Sequence, residues 1–221
     1  MCFHLLFWTL LQAVVSVHGF SSPSLKSEGL ILKVTYLVEP QERTKNSSKD
    51  LYKSGMISHD ELQASLADRE GFLYINLGEG WAVFDEQKRG GSIELCFHGI
   101  KDGGVYVILK KNLEHESPQA TFLPYFSYEK VNQTKEILGF PCEKAVLKGN
   151  EGRVSAMAWF TPDIPVCYGP RNSGGLEGLI LEEENPFYHF RAISIEQVKE
   201  IPFPKPKDFQ VIEMPFPSTR H

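Results

Sequence analysis

Short β-type runs follow one another along this chain, separated by turn residues, with no helical stretch between them long enough to carry one strand over to a parallel neighbour. Leu30 to Val38 alternates apolar and polar residues and contains Val and Tyr, the pattern of a half-buried strand. Phe72–Leu77 and Trp81–Phe84 flank the turn Gly78-Glu79-Gly80. Ile93, Leu95 and Phe97 alternate with Glu94, Cys96 and His98, and Val105, Val107 and Leu109 begin a new run after Lys101-Asp102-Gly103-Gly104. The Asp-Gly and Gly-Gly steps supply the positive backbone angles of tight hairpins. Cys142–Lys148 and Arg153–Phe160 form the clearest hairpin, around Gly149-Asn150-Glu151-Gly152. In its second strand Val154, Ala156, Ala158 and Phe160 share one face and Ser155, Met157 and Trp159 the other, so both sides should be covered. Leu179–Glu182 and Phe187–Val198 complete the series.

One segment reads as a helix, at about residues 59–69: Ser58-His59-Asp60-Glu61 has the form of a capping box, Leu62 and Leu66 follow at helical spacing, and Glu70-Gly71 closes it. Pro40–Lys53 reads as a polar loop, and Thr121–Val131 as a broken aromatic-rich segment interrupted by Pro124. A chain of about nine strands and one helix is expected to be α+β and mostly β. It predicts a strongly curved antiparallel sheet or open barrel, with the helix in its mouth or on its concave side.

The chain has 221 residues, 42% hydrophobic and 23% charged, enough to build a real core. The net charge of −5, without a basic stripe, argues against nucleic acid as a partner. Phe3–Val17 is almost wholly apolar and gives way at His18-Gly19 to Ser21-Ser22-Pro23-Ser24. This predicts a signal peptide over residues 1–19, although no Lys or Arg precedes the apolar run. The alternatives are an uncleaved anchor or a buried helix, for which a run of about 15 is short as a span. Cys2 is not at the end of the run, where a lipoprotein cysteine would stand. Residues 20–200 form one expected domain, and residues 201–221, with Pro202, Pro204, Pro206, Pro215 and Pro217, an extended tail.

Behind the leader lie Cys96, Cys142 and Cys167. An odd count in an oxidising compartment allows one bridge and one thiol. Cys96 reads as a small buried hydrophobe, and Cys142 with Cys167 is the candidate disulfide; three reduced cysteines are the alternative. No spacing suggests a metal site or a cofactor motif.

One block goes beyond composition. It runs Ile137-Leu138-Gly139-Phe140-Pro141-Cys142-Glu143-Lys144-Ala145, then Ala158-Trp159-Phe160-Thr161-Pro162-Asp163-Ile164-Pro165-Val166-Cys167-Tyr168-Gly169-Pro170, then Gly174-Gly175-Leu176-Glu177-Gly178-Leu179-Ile180. In order and spacing these segments resemble the motifs of the GLPGLI family of exported cell-envelope proteins, found mainly in Bacteroidetes. Glu177 stands where the name-giving motif has proline, which removes a fixed φ and adds a charge. The resemblance implies an exported protein, periplasmic or outer-membrane associated, with a layout like the LolA-type lipoprotein carriers, but no activity.

The residues Trp159, Pro162, Pro165, Gly169, Pro170, Gly175, Leu176, Gly178, Leu179 and Ile180 have a plain structural account as a rigid connection between strands. The functional alternative is a loop from Pro162 to Glu177 rimming a pocket, with Trp159, Tyr168, Arg171 and Asn172 as ligand contacts. Glu182, Glu183 and Glu184 read as a solvated strand end, and His59, His98, His115 and His189 have no partner at metal or triad spacing. Asn46-Ser47-Ser48 and Asn132-Gln133-Thr134 are glycosylation sequons by pattern, without meaning in a bacterium. Three functions remain in order: a non-catalytic module for a hydrophobic ligand, an accessory protein for an outer-membrane partner, and a hydrolase-type enzyme. Any membrane association would run through partners.

Overall fold

The computed structural model describes residues 30–86, 94–100, 103–109, 113, 118–149, 152–205 and 210–212. The expected leader, His115, the tip of the Gly149 hairpin and most of the expected tail lie outside these residues. The elements are β1 (Ile31–Pro40), α1 (Glu42–Lys53), α2 (His59–Leu66), β2 (Arg69–Asn76), β3 (Trp81–Glu86), β4 (Glu94–His98), β5 (Gly104–Leu109), β6 (Gln119–Pro124), β7 (Glu129–Ile137), β8 (Phe140–Lys148), β9 (Val154–Thr161), β10 (Leu179–Glu184), β11 (Tyr188–Val198) and β12 (Gln210–Ile212).

All twelve strands belong to one sheet, in the order β12-β6-β5-β4-β3-β2-β1-β11-β10-β9-β8-β7. Every pairing is antiparallel except β12 with β6. The sheet is open, with β7 at one edge and β12 at the other. Twelve strands replace the expected nine or so because the segment around Pro124 is two strands, not a break, and because the chain rejoins the sheet after residue 205. Pro124 is the last residue of β6, facing Gly104, where its missing N–H costs least.

The expected loop at 40–53 is largely helix α1. Its only buried residue is Ser48, so it has no apolar stripe to betray it. It is held by Glu42–Lys45 and Asp50–Lys53 ion pairs and by tertiary bonds: the Gln41 N–H and the Thr44 hydroxyl both donate to the Phe187 carbonyl, at 2.8 and 2.7 Å. Helix α2 forms as the capping box predicts, with Ser58 and Glu61 bonded reciprocally. The two helices form the β1–β2 connection and pack mainly on each other, rather than in the mouth of the sheet.

Period-2 alternation explains the core. On β3 to β6, Trp81, Val83, Leu95, Phe97, Tyr106, Ile108 and Ala120 face one way and form an apolar cluster. Ile201 and Phe203 cover it, with the Phe203 ring edge-on to Tyr74. Of the expected extended tail, Ile201 and Phe203 lie over this outer face and Gln210–Ile212 form β12. The opposite, inner face carries Ala82, Phe84 and Cys96, which join Val34, Tyr36, Val38, Leu73, Ile75 and Phe190 in the main core. Ile164 and Tyr168, from the β9–β10 loop, are in the same cluster, so that loop fills the inner face. A third group sets Ala145, Ala158, Phe160 and Ile180 against Leu176 of the loop.

Candidate functional site

The β9–β10 loop crosses the inner face and is fastened at three places. The Tyr168 hydroxyl donates to the Gly80 carbonyl at 2.5 Å. Arg171 grips Glu86 with two N–H groups, Nε to Oε2 at 2.6 Å and Nη2 to Oε1 at 2.9 Å. The Ser173 hydroxyl donates to the buried Glu183 carboxyl, whose other oxygen accepts from Asn185 at 3.1 Å. Two glycines permit the close path. A Cβ on Gly178 would stand 2.3 Å from the Thr161 carbonyl oxygen, and one on Gly169 would stand 2.9 Å from Ile180. Of the other motif residues, Leu176, Leu179 and Ile180 are buried.

Between this loop and the inner face of β3 to β6 runs a groove of about 340 Å³. Phe84, Cys96, Val107 and Leu123 give it an apolar floor, and Glu86, Glu94, Thr121, Arg171 and Asn172 supply polar groups. Alternation sends Phe84 and Glu86 of β3, Glu94 and Cys96 of β4, and Thr121 and Leu123 of β6 to one side. Two of the four expected ligand contacts, Arg171 and Asn172, line this groove. Tyr168 lies deeper, buried beside His98. Trp159 is elsewhere, on β9 with the Lys135 and Lys144 ammonium groups over its ring. The sequence reading missed Glu86, Glu94 and the floor residues. Their shared face was legible strand by strand, but the register that aligns them across four strands was not.

Behind the groove the electrostatics are concentrated. Arg69 also binds Glu86, with Nε 2.6 Å from Oε1. Both guanidinium groups lie over the Tyr188 ring, Arg171 at 4.1 Å and Arg69 at 4.9 Å from its centroid. Burial alone would raise the Tyr188 phenol, but the two arginines outweigh it and hold the phenol below its ordinary value. Burial opposes the Arg171 charge, and Glu86 restores it and more. Burial raises the Glu183 carboxyl, against the pull of Ser173, Asn185 and Arg171. His98 is fully buried, stacked on Tyr125 with Nδ1 3.2 Å from its hydroxyl, and burial pushes its pKa down to about 3. It is therefore neutral at ordinary pH. Among the described histidines, His189 is the one within reach of carboxylates, 3.3 Å from both Glu39 and Glu182, at a site distinct from the groove lining.

Cys142 and Cys167 are not bridged. Cys142 is buried, its thiol aimed at the Phe140 carbonyl, while Cys167 is exposed on the loop and Cys96 is buried on β4. Among the described residues no cluster of His, Cys, Asp and Glu could hold a metal ion, and no helix is long and apolar enough to cross a membrane.

Residues 108–213 match the family of the PNGase F-II N-terminal domain, described as N-glycanase peptide, N-terminal domain. Two crystal forms of PNGF-II are similar in structure. The C2 form has a TM-score of 0.54 at 16% identity, covering 84% of this chain and 31% of its own. The P21 form has a TM-score of 0.56 at 17% identity, covering 84% of this chain and 32% of its own. At that identity the likeness establishes a shared fold, and this chain spans about a third of the length of those proteins. No curated protein sequence matches.

Proposed function

We propose that this chain is a non-catalytic binding domain that holds a saccharide in the groove between the β9–β10 loop and strands β3 to β6. The observation that carries the reading is the groove's composition. Val107 and Leu123 suit the C–H face of a sugar ring, while Glu94, Thr121, Arg171 and Asn172 suit its hydroxyls. The inner face otherwise offers little to a wholly hydrophobic ligand, because Tyr36, Phe84, Phe190, Ile164 and Tyr168 already fill it. The match to an N-glycanase N-terminal domain supports a saccharide over a lipid. The motif resemblance and the apolar leader support export to a cell envelope, with the domain assisting glycan-processing partners there.

The test is a titration of the protein with an oligosaccharide released from an N-glycoprotein, followed by NMR or calorimetry. Saturable binding that Leu123→Trp blocks, with the fold unchanged, is the expected result. Absence of binding at millimolar sugar defeats the reading.

A further inference from the structure

We infer that the β9–β10 loop is a pH-gated wall of the groove, latched by Glu183 while that carboxyl is a neutral acid and loosened once it ionises. The gate is a property of the loop and does not depend on which ligand the groove takes.

Geometry carries it. Alternation along β10 turns Glu183 inward, where its cross-strand neighbours are Phe190 and Ala158, 1% and 0% exposed. Glu183 itself is 2% exposed. The run Glu182–Glu184 has the sequence of a solvated strand end, yet its middle member stands in an apolar row of the core. An apolar side chain would pack there at lower cost. What the carboxyl adds is a hold on the loop. The Ser173 hydroxyl, also 2% exposed, donates to Oε2, and the Asn185 amide donates to Oε1. Both partners are neutral, and among the described residues no cation bonds either oxygen. A carboxylate sealed in this way is far more costly than a neutral acid, which can make both contacts without that cost.

The groups around the latch leave this balance in place. The Tyr36 phenol of β1 and the Tyr128 phenol before β7 both face Glu183, and burial raises both, with Glu183 adding to the effect, so they stay neutral. Arg171 favours the carboxylate, as do Ser173 and Asn185, but burial outweighs the three and holds the Glu183 carboxyl above its ordinary value. Beneath the loop, His98 meets the backbone of Gly169 and Arg171. Burial pushes it down to about 3, so it does not titrate where the latch does.

The latch reaches the groove through the chain itself. Arg171 and Asn172 line the groove and immediately precede Ser173, so the wall moves when Ser173 is released. The direction follows from the raised value in the closed loop. The latch is complete below the ordinary value of about 4.5, weakens as pH rises, and is spent above the closed-loop value. One proton is exchanged, so loop opening grows about tenfold per pH unit across that interval. Any ligand that needs the closed wall should be held more tightly in acid than in base.

The experiment follows hydrogen-exchange protection in the native chain from pH 5 to 8, corrected for the intrinsic exchange rate. The reporters are the Ser173 and Gly175 amides, which donate to the Pro170 and Cys167 carbonyls. Their protection should fall about tenfold per pH unit, and the fall should end where the Glu183 carboxyl titrates by carbon-13 NMR. Amides of β1 and β2 should keep their protection throughout. Glu183→Gln keeps the hydrogen bonds and cannot ionise, so its loop should stay protected at every pH. Flat loop protection in the native chain overturns the inference, and so does a fall that ends at a pH unrelated to the Glu183 titration. An equal fall in Glu183→Gln also overturns it, by assigning the response to another group. The two measurements on the native chain decide the matter even if the variant does not fold.

Discussion

The Tyr168 hydroxyl donates to the Gly80 carbonyl at 2.5 Å and so ties the β9–β10 loop to the turn between β2 and β3. The two residues are far apart in the chain, and the bond belongs to the loop's seating on the inner face. Tyr168→Phe keeps the ring in the core and removes only the donor. It should lower stability by about 1 kcal/mol, the usual net worth of such a bond, read as a lower urea midpoint with unchanged slope. An unchanged midpoint would mean that this bond adds nothing to the loop's seating.

Leu138 presents the opposite case, a residue whose backbone the sequence does not favour. It has φ of 53° and is 45% exposed, in the two-residue turn Leu138-Gly139 between β7 and β8. Turns of this kind favour Asn at the first position, because its short polar side chain tolerates the left-handed region. Leu138→Asn should raise stability by about 0.5–1 kcal/mol, seen as a higher melting temperature. A loss of stability would show that the exposed leucine makes a contact worth more than its strain.

His189 gives a pH dependence. It sits between Glu39 and Glu182, and Glu182, then Glu39, hold its pKa above the ordinary value despite burial. A raised folded value means that its contribution is fully present below the unfolded value of about 6.5 and fades as pH rises through the folded value. Glu182 has the reverse sign: His189 and Lys135 lower it to about 2, so its contribution is present above about 4.5 and is lost as pH falls toward 2. The stability difference between the native chain and His189→Gln should therefore be larger at pH 6 than at pH 9. Parallel stability–pH curves for the two proteins would rule the ion cluster out as a contributor.

Phe203 tests the tail. Buried over Tyr74 and the outer cluster, it should cost about 3 kcal/mol when replaced by Ala. Limited proteolysis of Phe203→Ala should then cut first after β11 and leave the β1–β11 sheet intact longer. Equal protease resistance in the two proteins would mean that Phe203 does not hold the segment on the sheet.

The β-rich class was legible because alternation and turn residues act locally: β2 to β5 and β8 to β11 stand close to where Val, Ile, Phe and Gly predict them. Helix α2 was legible from Ser58 and Glu61, whose bonds are local too. Helix α1 was not, because Gln41 has no side-chain cap and the helix is anchored by Phe187, which is distant in sequence. Strand β12 depends on β6 in the same way. At the site, the loop residues Arg171 and Asn172 were within reach of a motif reading. Glu86 was not, since only the fold brings it to Arg171.

The parallel return of β12 to β6, with Phe203 folded over β3 to β6, has a consequence for synthesis. A chain made from its N-terminus completes β3 to β6 well before it makes the residues that cover them. Trp81, Phe97, Tyr106 and Ile108 then wait with their outer faces bare while β7 to β11 emerge. Such a surface on a half-made sheet is a target for chaperones and a nucleus for aggregation. The nascent protein should be most vulnerable in that interval, and a truncation before Phe203 would hold it there permanently.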